Sequence, residues 1–313
     1  MKLPRRIQLV EVGLRDGIQN ESVQLSIKQK LELISNIIDA GFKIIEIGSF
    51  VRPDVVPQMA NTIELFKQLD KANGIEYRAL VPNMRGLENA IKCGCTSVKI
   101  GVSASKAHNL ANYKRTPEQS ISAFEKIFLS AFEHNLDIIG TIQMAFGSPW
   151  DHEIPFEDVL SIVKTYESLG AKKIGISDTA SMASPKQVYC ICSKLIERFP
   201  DIKFKLHFHN ARGLALSNIL AGASAGVKEF DSAFAGLGGC PFVPNATGNV
   251  ATEDVVNMLN EVEIETGIDI EKVIQIGYKA ESLVGHRGTS HILRAGTSED
   301  LKRSIKSRNK ASN

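Results

Sequence analysis

The chain has 313 residues, 43% of them hydrophobic, which is enough for one large α/β domain or two smaller ones. Thirty-seven basic and 35 acidic residues give a net charge of +2, so no strong overall field favours nucleic acid or a membrane surface as a partner. No apolar run approaches the roughly 20 residues of a membrane span, and no signal-type segment opens the chain, so we expect a cytoplasmic protein. The five cysteines include no C-x-x-C pair, which suits free thiols.

Short β-branched runs alternate with helical patterns along the chain. We predict eight strands, near residues 7–12, 43–48, 76–81, 97–102, 136–142, 173–177, 203–209 and 228–234. We predict that helices follow them near residues 26–40, 58–72, 85–93, 117–134, 155–169, 185–198, 213–225 and 252–265. Eight strand–helix units favour a (β/α)₈ TIM barrel, and an open doubly wound sheet is the alternative.

Local signals mark several helix ends and a C-terminal extension. Thr116 and Ser184 each precede a proline, as expected of N-cap residues. The last predicted strand–helix unit ends near residue 265 and one more helical pattern begins beyond about residue 268, so we assign 1–268 to the barrel and 269–313 to a C-terminal helix and basic tail. The tail is either a solvated extension or a segment that leans over the active-site mouth.

Polar side chains recur where the predicted strands end. They are Arg15, Asp16, Glu46, Ser49, Asn83, Ser103, Ser105, Gln143, Asp178, His207, His209 and Asn210, followed by Cys240 and Asn249 in the Gly-rich loop after the last strand. Each alone has a structural explanation, such as a cap or a buried ion pair. Because the carboxyl ends of all strands meet at one face of a barrel, their convergence predicts a single active site there.

The segment "KLHFHN" contains the strongest candidate for a metal site. Side chains alternate along a strand, so His207 and His209 share one face and Phe208 takes the other. The first and seventh strands are close in a barrel, which brings Asp16 near the two imidazoles. Together with the amide oxygen of Asn249 they form a mixed nitrogen and oxygen ligand set, which suits Mg²⁺ or Mn²⁺ better than structural zinc.

Four segments resemble the hydroxymethylglutaryl-CoA lyases, a family of metal-dependent barrels related to isopropylmalate and homocitrate synthases. They are "EVGLRDGIQNE" (11–21), "IEIGSFVRPDVVPQM" (45–59), "HFHNARG" (207–213) and "AGLGGCPFVPNATGNVATED" (235–254). The resemblance places metal ligands at Asp16, His207, His209 and Asn249, and catalytic groups at Arg15, Asp16, Glu46, His209 and Cys240. It also implies a coenzyme A (CoA) thioester substrate, with Asn83, Ser103 and Ser105 lining the pantetheine channel. We further expect substrate contacts from Gln19, Ser49, Thr141, Gln143 and Asp178, and a homodimer.

The implied reaction is cleavage of the C2–C3 bond of a 3-hydroxyacyl-CoA. The metal would bind the hydroxyl and distal carboxylate, Arg15 would stabilise charge on the thioester oxygen, and Cys240 would protonate the enolate carbon. Either His209 or Asp16 would take the hydroxyl proton.

Several positions depart from the family pattern. Typical members have arginine and tyrosine where this chain has Ile139 and Thr141, cysteine at Ser148, and aspartate at Asn210. Two substrates therefore remain: 3-hydroxy-3-methylglutaryl-CoA, giving acetoacetate and acetyl-CoA as in leucine degradation, or a relative such as citramalyl-CoA, giving pyruvate and acetyl-CoA. A condensing synthase is a further alternative. A non-enzymatic scaffold is disfavoured because every implied catalytic residue is present.

Overall fold

The computed structural model describes residues 2–151, 153–239 and 248–311. Within them eight parallel strands close in sequence order into a barrel, which confirms the predicted (β/α)₈ fold. The strands are β1 Gln8–Glu11, β2 Ile44–Ser49, β3 Glu76–Leu80, β4 Ser97–Ser103, β5 Asp137–Gln143, β6 Lys173–Asp178, β7 Lys203–Phe208 and β8 Glu229–Ser232.

Helices connect the strands and continue after the barrel. They are α1 Ile27–Asp39, α2 Thr62–Gln68, α3 Met84–Lys92, α4 Lys106–Tyr113, α5 Pro117–Ser122, α6 Phe124–Glu133, α7 Phe156–Ser168, α8 Pro185–Arg198, α9 Ala215–Ser224, α10 Thr252–Glu261, α11 Ile270–Val284, α12 Ile292–Ala295 and α13 Ser298–Ala311. A π-helical turn, Gly13–Gly17, follows β1, and 3₁₀ turns span Pro57–Met59 and Phe234–Gly236. None of the described helices is both long and apolar enough to cross a membrane.

The predicted helix starts are confirmed at two positions with strong capping signals. The Thr116 and Ser184 side chains accept hydrogen bonds from the third backbone N–H of their helices, as predicted. The single helix predicted over 117–134 is wrong in one respect, because the structure divides it at Ala123. Helix α4 was not predicted, since its eight residues are too few for a clear apolar period.

The strand faces divide the molecule into an apolar layer and a charged interior. Outward residues such as Leu206, Phe208 and Phe230 are fully buried beneath the surrounding helices. Helix α11 places Val273 and Ile276 in the same hydrophobic core. The division of the chain at residue 268 remains a prediction. The described part of the chain after it contains α11, α12 and α13, and Leu301 and Ile305 of α13 are exposed.

Candidate active site and metal centre

The π-helical turn after β1 positions Arg15 and Asp16. The carboxylate of Glu11 accepts hydrogen bonds from the backbone N–H groups of Gly13, at 2.7 Å, and Phe234, at 3.1 Å, so it ties the turn to the end of β8. A Cβ at Gly13 would lie 2.4 Å from the Phe234 ring, which explains the glycine. Single π-helical turns of this kind are frequent at functional sites.

Asp16, His207 and His209 converge as the sequence predicts. One ligand atom from each lies within 4.8 Å of the other two. The Nε2 atoms of His207 and His209 are 3.7 and 3.4 Å from Oδ2 of Asp16. The predicted strand is one residue too long, because β7 ends at Phe208 and His209 instead forms an isolated bridge with Asn249. The predicted alternation is confirmed, since Phe208 is buried on the outer side beside Phe146.

Asn249 completes the set with an oxygen. Its amide nitrogen donates to Asp16 Oδ2, at 2.9 Å, and to the Leu237 carbonyl, at 3.0 Å. Its Oδ1 atom is buried and has no hydrogen-bond partner among the described residues. An orphaned buried acceptor is costly unless a ligand satisfies it, so the residues present fit a divalent cation held by two imidazoles, a carboxylate and an amide oxygen.

A charged network behind the ligands was missed from sequence. Asp231 on β8 accepts a hydrogen bond from His207 Nδ1, at 3.2 Å, and its other oxygen pairs with Lys205 Nζ. Lys99 bridges Asp231 and Glu46, with Nζ 3.5 and 2.6 Å from their carboxylate oxygens. The signal was present, because charged residues occupy alternate positions of strands whose other face is apolar.

Arg15 is held between two carboxylates. Its Nε donates to Glu46 Oε1 and its Nη1 donates to Asp16 Oδ1. Glu46 is fully buried, and Lys99 occupies its second oxygen. The predicted pairing of Arg15 with Glu46 is therefore present, and it fixes the guanidinium beside the candidate metal ligands.

The electrostatics keep the ligand atoms in the state that binds metal. Burial alone would raise the pKa of Asp16, but Arg15, His209 and His207 together hold that pKa well below its usual range. Burial lowers the pKa of His207, and its hydrogen bond to Asp231 opposes the shift. An ionised carboxylate and a neutral imidazole are the ligand forms that a divalent cation requires.

The residues predicted to contact substrate have varied local roles. Gln19 donates to Asp16 Oδ1, at 3.0 Å, and Asp178 accepts from the backbone N–H groups of Met182 and Ala183. Burial raises the pKa of Asp178 to about 6. Ser49 Oγ and Gln143 Oε1 are buried without a hydrogen-bond partner among the described residues. Thr141 faces the barrel interior, where its hydroxyl donates to the Ile100 carbonyl.

The three residues predicted to line the pantetheine channel lie at the starts of two helices. Asn83 and Ser105 are the N-caps of α3 and α4, and Ser103 Oγ accepts from the Ser105 N–H. Their contact with CoA stays a prediction.

Cys240 lies outside the described residues, so its predicted role also stays a prediction. Asn210 Oδ1 accepts from the Ala215 N–H, at 3.1 Å, at the start of α9.

A parallel barrel with this ligand set at the carboxyl ends of its strands defines the class of metal-dependent (β/α)₈ enzymes. The chain belongs to the HMGL-like family, whose model matches residues 6–279.

Individual relatives agree with this membership over almost the whole chain. The chain is 35% identical to a hydroxymethylglutaryl-CoA lyase of Bacillus subtilis, covering 91% of this chain and 95% of the relative. It is 37% identical to an (R)-citramalyl-CoA lyase of Chloroflexus aurantiacus, covering 90% and 95%. A solved HMG-CoA lyase from Acinetobacter baumannii, in complex with coenzyme A and 3-methylmalate, superposes with a TM-score of 0.90 at 37% identity, covering 95% and 97%.

Proposed function

We propose that the protein is a divalent-metal-dependent carbon–carbon lyase that cleaves 3-hydroxy-3-methylglutaryl-CoA to acetoacetate and acetyl-CoA. The observation that carries the proposal is the ligand cluster of Asp16, His207 and His209, with the orphaned Asn249 oxygen beside it and Arg15 in contact. Mg²⁺ or Mn²⁺ is the expected ion, since both favour mixed ligand sets rich in oxygen. When bound, the ion would stabilise negative charge on the substrate oxygens.

The protein side chains would move the protons and hold the charge. Asp16 or the His209 imidazole accepts the proton of the C3 hydroxyl, and the electrons of that O–H bond form the ketone as the C2–C3 bond breaks. The electron pair of the broken bond passes to the thioester enolate, whose oxygen faces Arg15. Glu46 holds the guanidinium in place for this contact. Cys240 then delivers a proton to C2, which becomes the methyl group of acetyl-CoA.

A second substrate is favoured by specific observations. Strand β5 presents Ile139 and Thr141 to the interior, and neither carries a charge that would hold a distant carboxylate. A relative with 37% identity is named (R)-citramalyl-CoA lyase. Citramalyl-CoA carries its carboxylate directly on C3, so it would need no such cation.

The test is a comparison of the two thioesters on purified protein with Mg²⁺ or Mn²⁺. We expect the larger kcat/KM with 3-hydroxy-3-methylglutaryl-CoA, and acetoacetate and acetyl-CoA in equal amounts. A large preference for citramalyl-CoA would overturn the named substrate but keep the lyase. Net release of free CoA from acetyl-CoA and a 2-oxo acid would instead indicate a condensing synthase.

We also propose that the enzyme is a homodimer in the cytoplasm. Light scattering on the purified chain tests the dimer, which a monomeric mass would contradict.

A further inference from the structure

The inward face of β4 carries a glycine at the position next to the charged network. Lys99, Gly101 and Ser103 hold the inward-facing positions of β4, and the Lys99 side chain reaches Glu46 from this face. Gly101 is the next inward position toward the carboxyl end of the strand, where the metal ligands lie. Since it has no side chain, neighbouring groups can approach the strand closely at this level.

Two hydroxyl groups and an amide occupy the space in front of Gly101. A Cβ built on Gly101 would lie 2.8 Å from Thr141 Oγ1, 3.3 Å from the Tyr113 hydroxyl and 3.6 Å from Gln143 Nε2. Thr141 is the register partner of Gly101 on β5. Tyr113 comes from outside the barrel, at the end of α4, and is half-buried. The interior wall at this level is therefore closely packed and polar, and one of the side chains that form it, Tyr113, comes from a helix.

Helix α4 is fixed in place by a buried amide. Asn109 is fully buried; its Oδ1 accepts from the Ser103 N–H, at 2.9 Å, and its Nδ2 donates to Ser120 Oγ, also at 2.9 Å. Tyr113 lies four residues later, on the same face of the helix. The anchor on β4 therefore sets how far the Tyr113 hydroxyl reaches into the barrel.

We propose that Gly101, Thr141 and Tyr113 form the wall that limits the size of the substituent on C3 of the substrate. The inference rests on the proposed lyase function and deepens it. A substrate whose hydroxyl and carboxylate face the metal ligands turns its remaining C3 group toward the opposite wall. The accepted class is then 3-hydroxyacyl-CoA with a methyl-sized group at this position, and longer alkyl groups meet Tyr113.

The test makes the wall smaller in one variant and larger in another, and it compares two homologous substrates. The first is whichever thioester, 3-hydroxy-3-methylglutaryl-CoA or citramalyl-CoA, the wild-type chain cleaves faster, and the second is its homologue with ethyl in place of methyl on C3. We expect Tyr113→Ala to raise the ethyl-to-methyl ratio of kcat/KM by roughly tenfold, and Gly101→Ala to lower it by roughly tenfold, as one methylene in a pocket allows.

Matched controls separate this role from general damage. Tyr189→Ala removes an exposed tyrosine from α8 and should leave the ratio unchanged. The Kd for Mn²⁺, measured by electron paramagnetic resonance, should be the same in all variants. If Gly101→Ala does not fold, Tyr113→Ala decides alone. An ethyl-to-methyl ratio of kcat/KM within twofold of wild type in every folded wall variant would contradict the proposed size limit, while the lyase function stands. A wild-type chain that cleaves neither thioester overturns both.

Discussion

At the scale of single residues, Asp231 holds the ring of His207, a proposed metal ligand, from the side away from Asp16. It accepts from His207 Nδ1, which leaves Nε2 of that ring directed toward Asp16. Lys205 and Lys99 in turn hold the carboxylate. Such outer partners fix the tautomer and the orientation of a ligating histidine.

Replacing Asp231 by Asn should therefore weaken metal binding. We expect Asp231→Asn to raise the Kd for Mn²⁺ by about 10- to 100-fold, as is typical for the loss of an outer carboxylate. Titration followed by electron paramagnetic resonance measures it. Asp201→Asn, at an exposed position, is the matched control. A Kd within twofold of wild type for Asp231→Asn would show that the carboxylate does not position His207.

The sequence predicts the cluster of candidate ligands but not the charged groups behind it. The alternation of His207 and His209 and the neighbouring first strand were enough to predict the ligand set. Asp231 and Lys99 were missed because an ion pair inside a barrel joins strands that are distant in sequence, here residues 99 and 231. Thr141 was predicted to face the interior, whereas the approach of Tyr113 to Gly101 depends on the path of α4.

At the scale of elements, the contact between β5 and α7 supports the wall from behind. Gly140 faces outward, and a Cβ there would lie 2.6 to 2.8 Å from three ring atoms of Tyr166. The Tyr166 hydroxyl donates to the Thr141 carbonyl, at 3.2 Å. The glycine thus lets the ring lie against the strand and hold the backbone of Thr141.

Adding a methyl group at Gly140 should push Tyr166 of α7 away from β5. We expect Gly140→Ala to lower the free energy of unfolding by about 1–3 kcal/mol, because overpacking forces the ring to shift. Tyr166→Phe keeps the ring and should cost only about 1 kcal/mol for the lost hydrogen bond. Urea unfolding followed by circular dichroism measures both. Equal losses in the two variants would contradict the steric explanation.

Element boundaries were predictable where caps mark them and uncertain elsewhere. Thr116 and Ser184 give clear helix starts, and both are confirmed. The π-helical turn at Gly13–Gly17 has no sequence pattern of its own, since it is held by the Glu11 carboxylate, which accepts from the backbone N–H groups of Gly13 and of the distant Phe234. Helix α13 was missed because it is polar and lacks an apolar stripe facing the core.

At the scale of the whole molecule, two buried carboxyl groups make stability depend on pH. Burial raises the pKa of Glu11 to about 7 and that of Glu253 to about 8. Between about pH 4.5 and these values the unfolded chain is ionised at both groups while the folded chain keeps the protons. The contribution of each group to the free energy of unfolding therefore falls as pH rises, by at most about 1.4 kcal/mol per pH unit.

Replacing Glu253 by Gln should remove the part of the pH dependence of stability that Glu253 causes. The amide oxygen can still accept from the Ala235 N–H, which binds Glu253 at 2.8 Å. We expect the Tm of Glu253→Gln, relative to wild type, to increase steadily from pH 5 to pH 8. Differential scanning calorimetry measures the difference, and Glu197→Gln, on the surface of α8, should give a constant offset. A constant offset for Glu253→Gln would contradict a raised pKa.

We propose that the cluster of Asp16, His207, His209 and Asn249 holds a divalent ion needed for carbon–carbon cleavage. The most direct measurement removes metal from the purified chain with EDTA and adds Mn²⁺ back in steps while acetyl-CoA formation from 3-hydroxy-3-methylglutaryl-CoA is followed. We predict no turnover without metal, a rise that ends near one Mn²⁺ per chain, and no recovery in Asp16→Ala. Full turnover in EDTA, or normal recovery in Asp16→Ala, would contradict the claim.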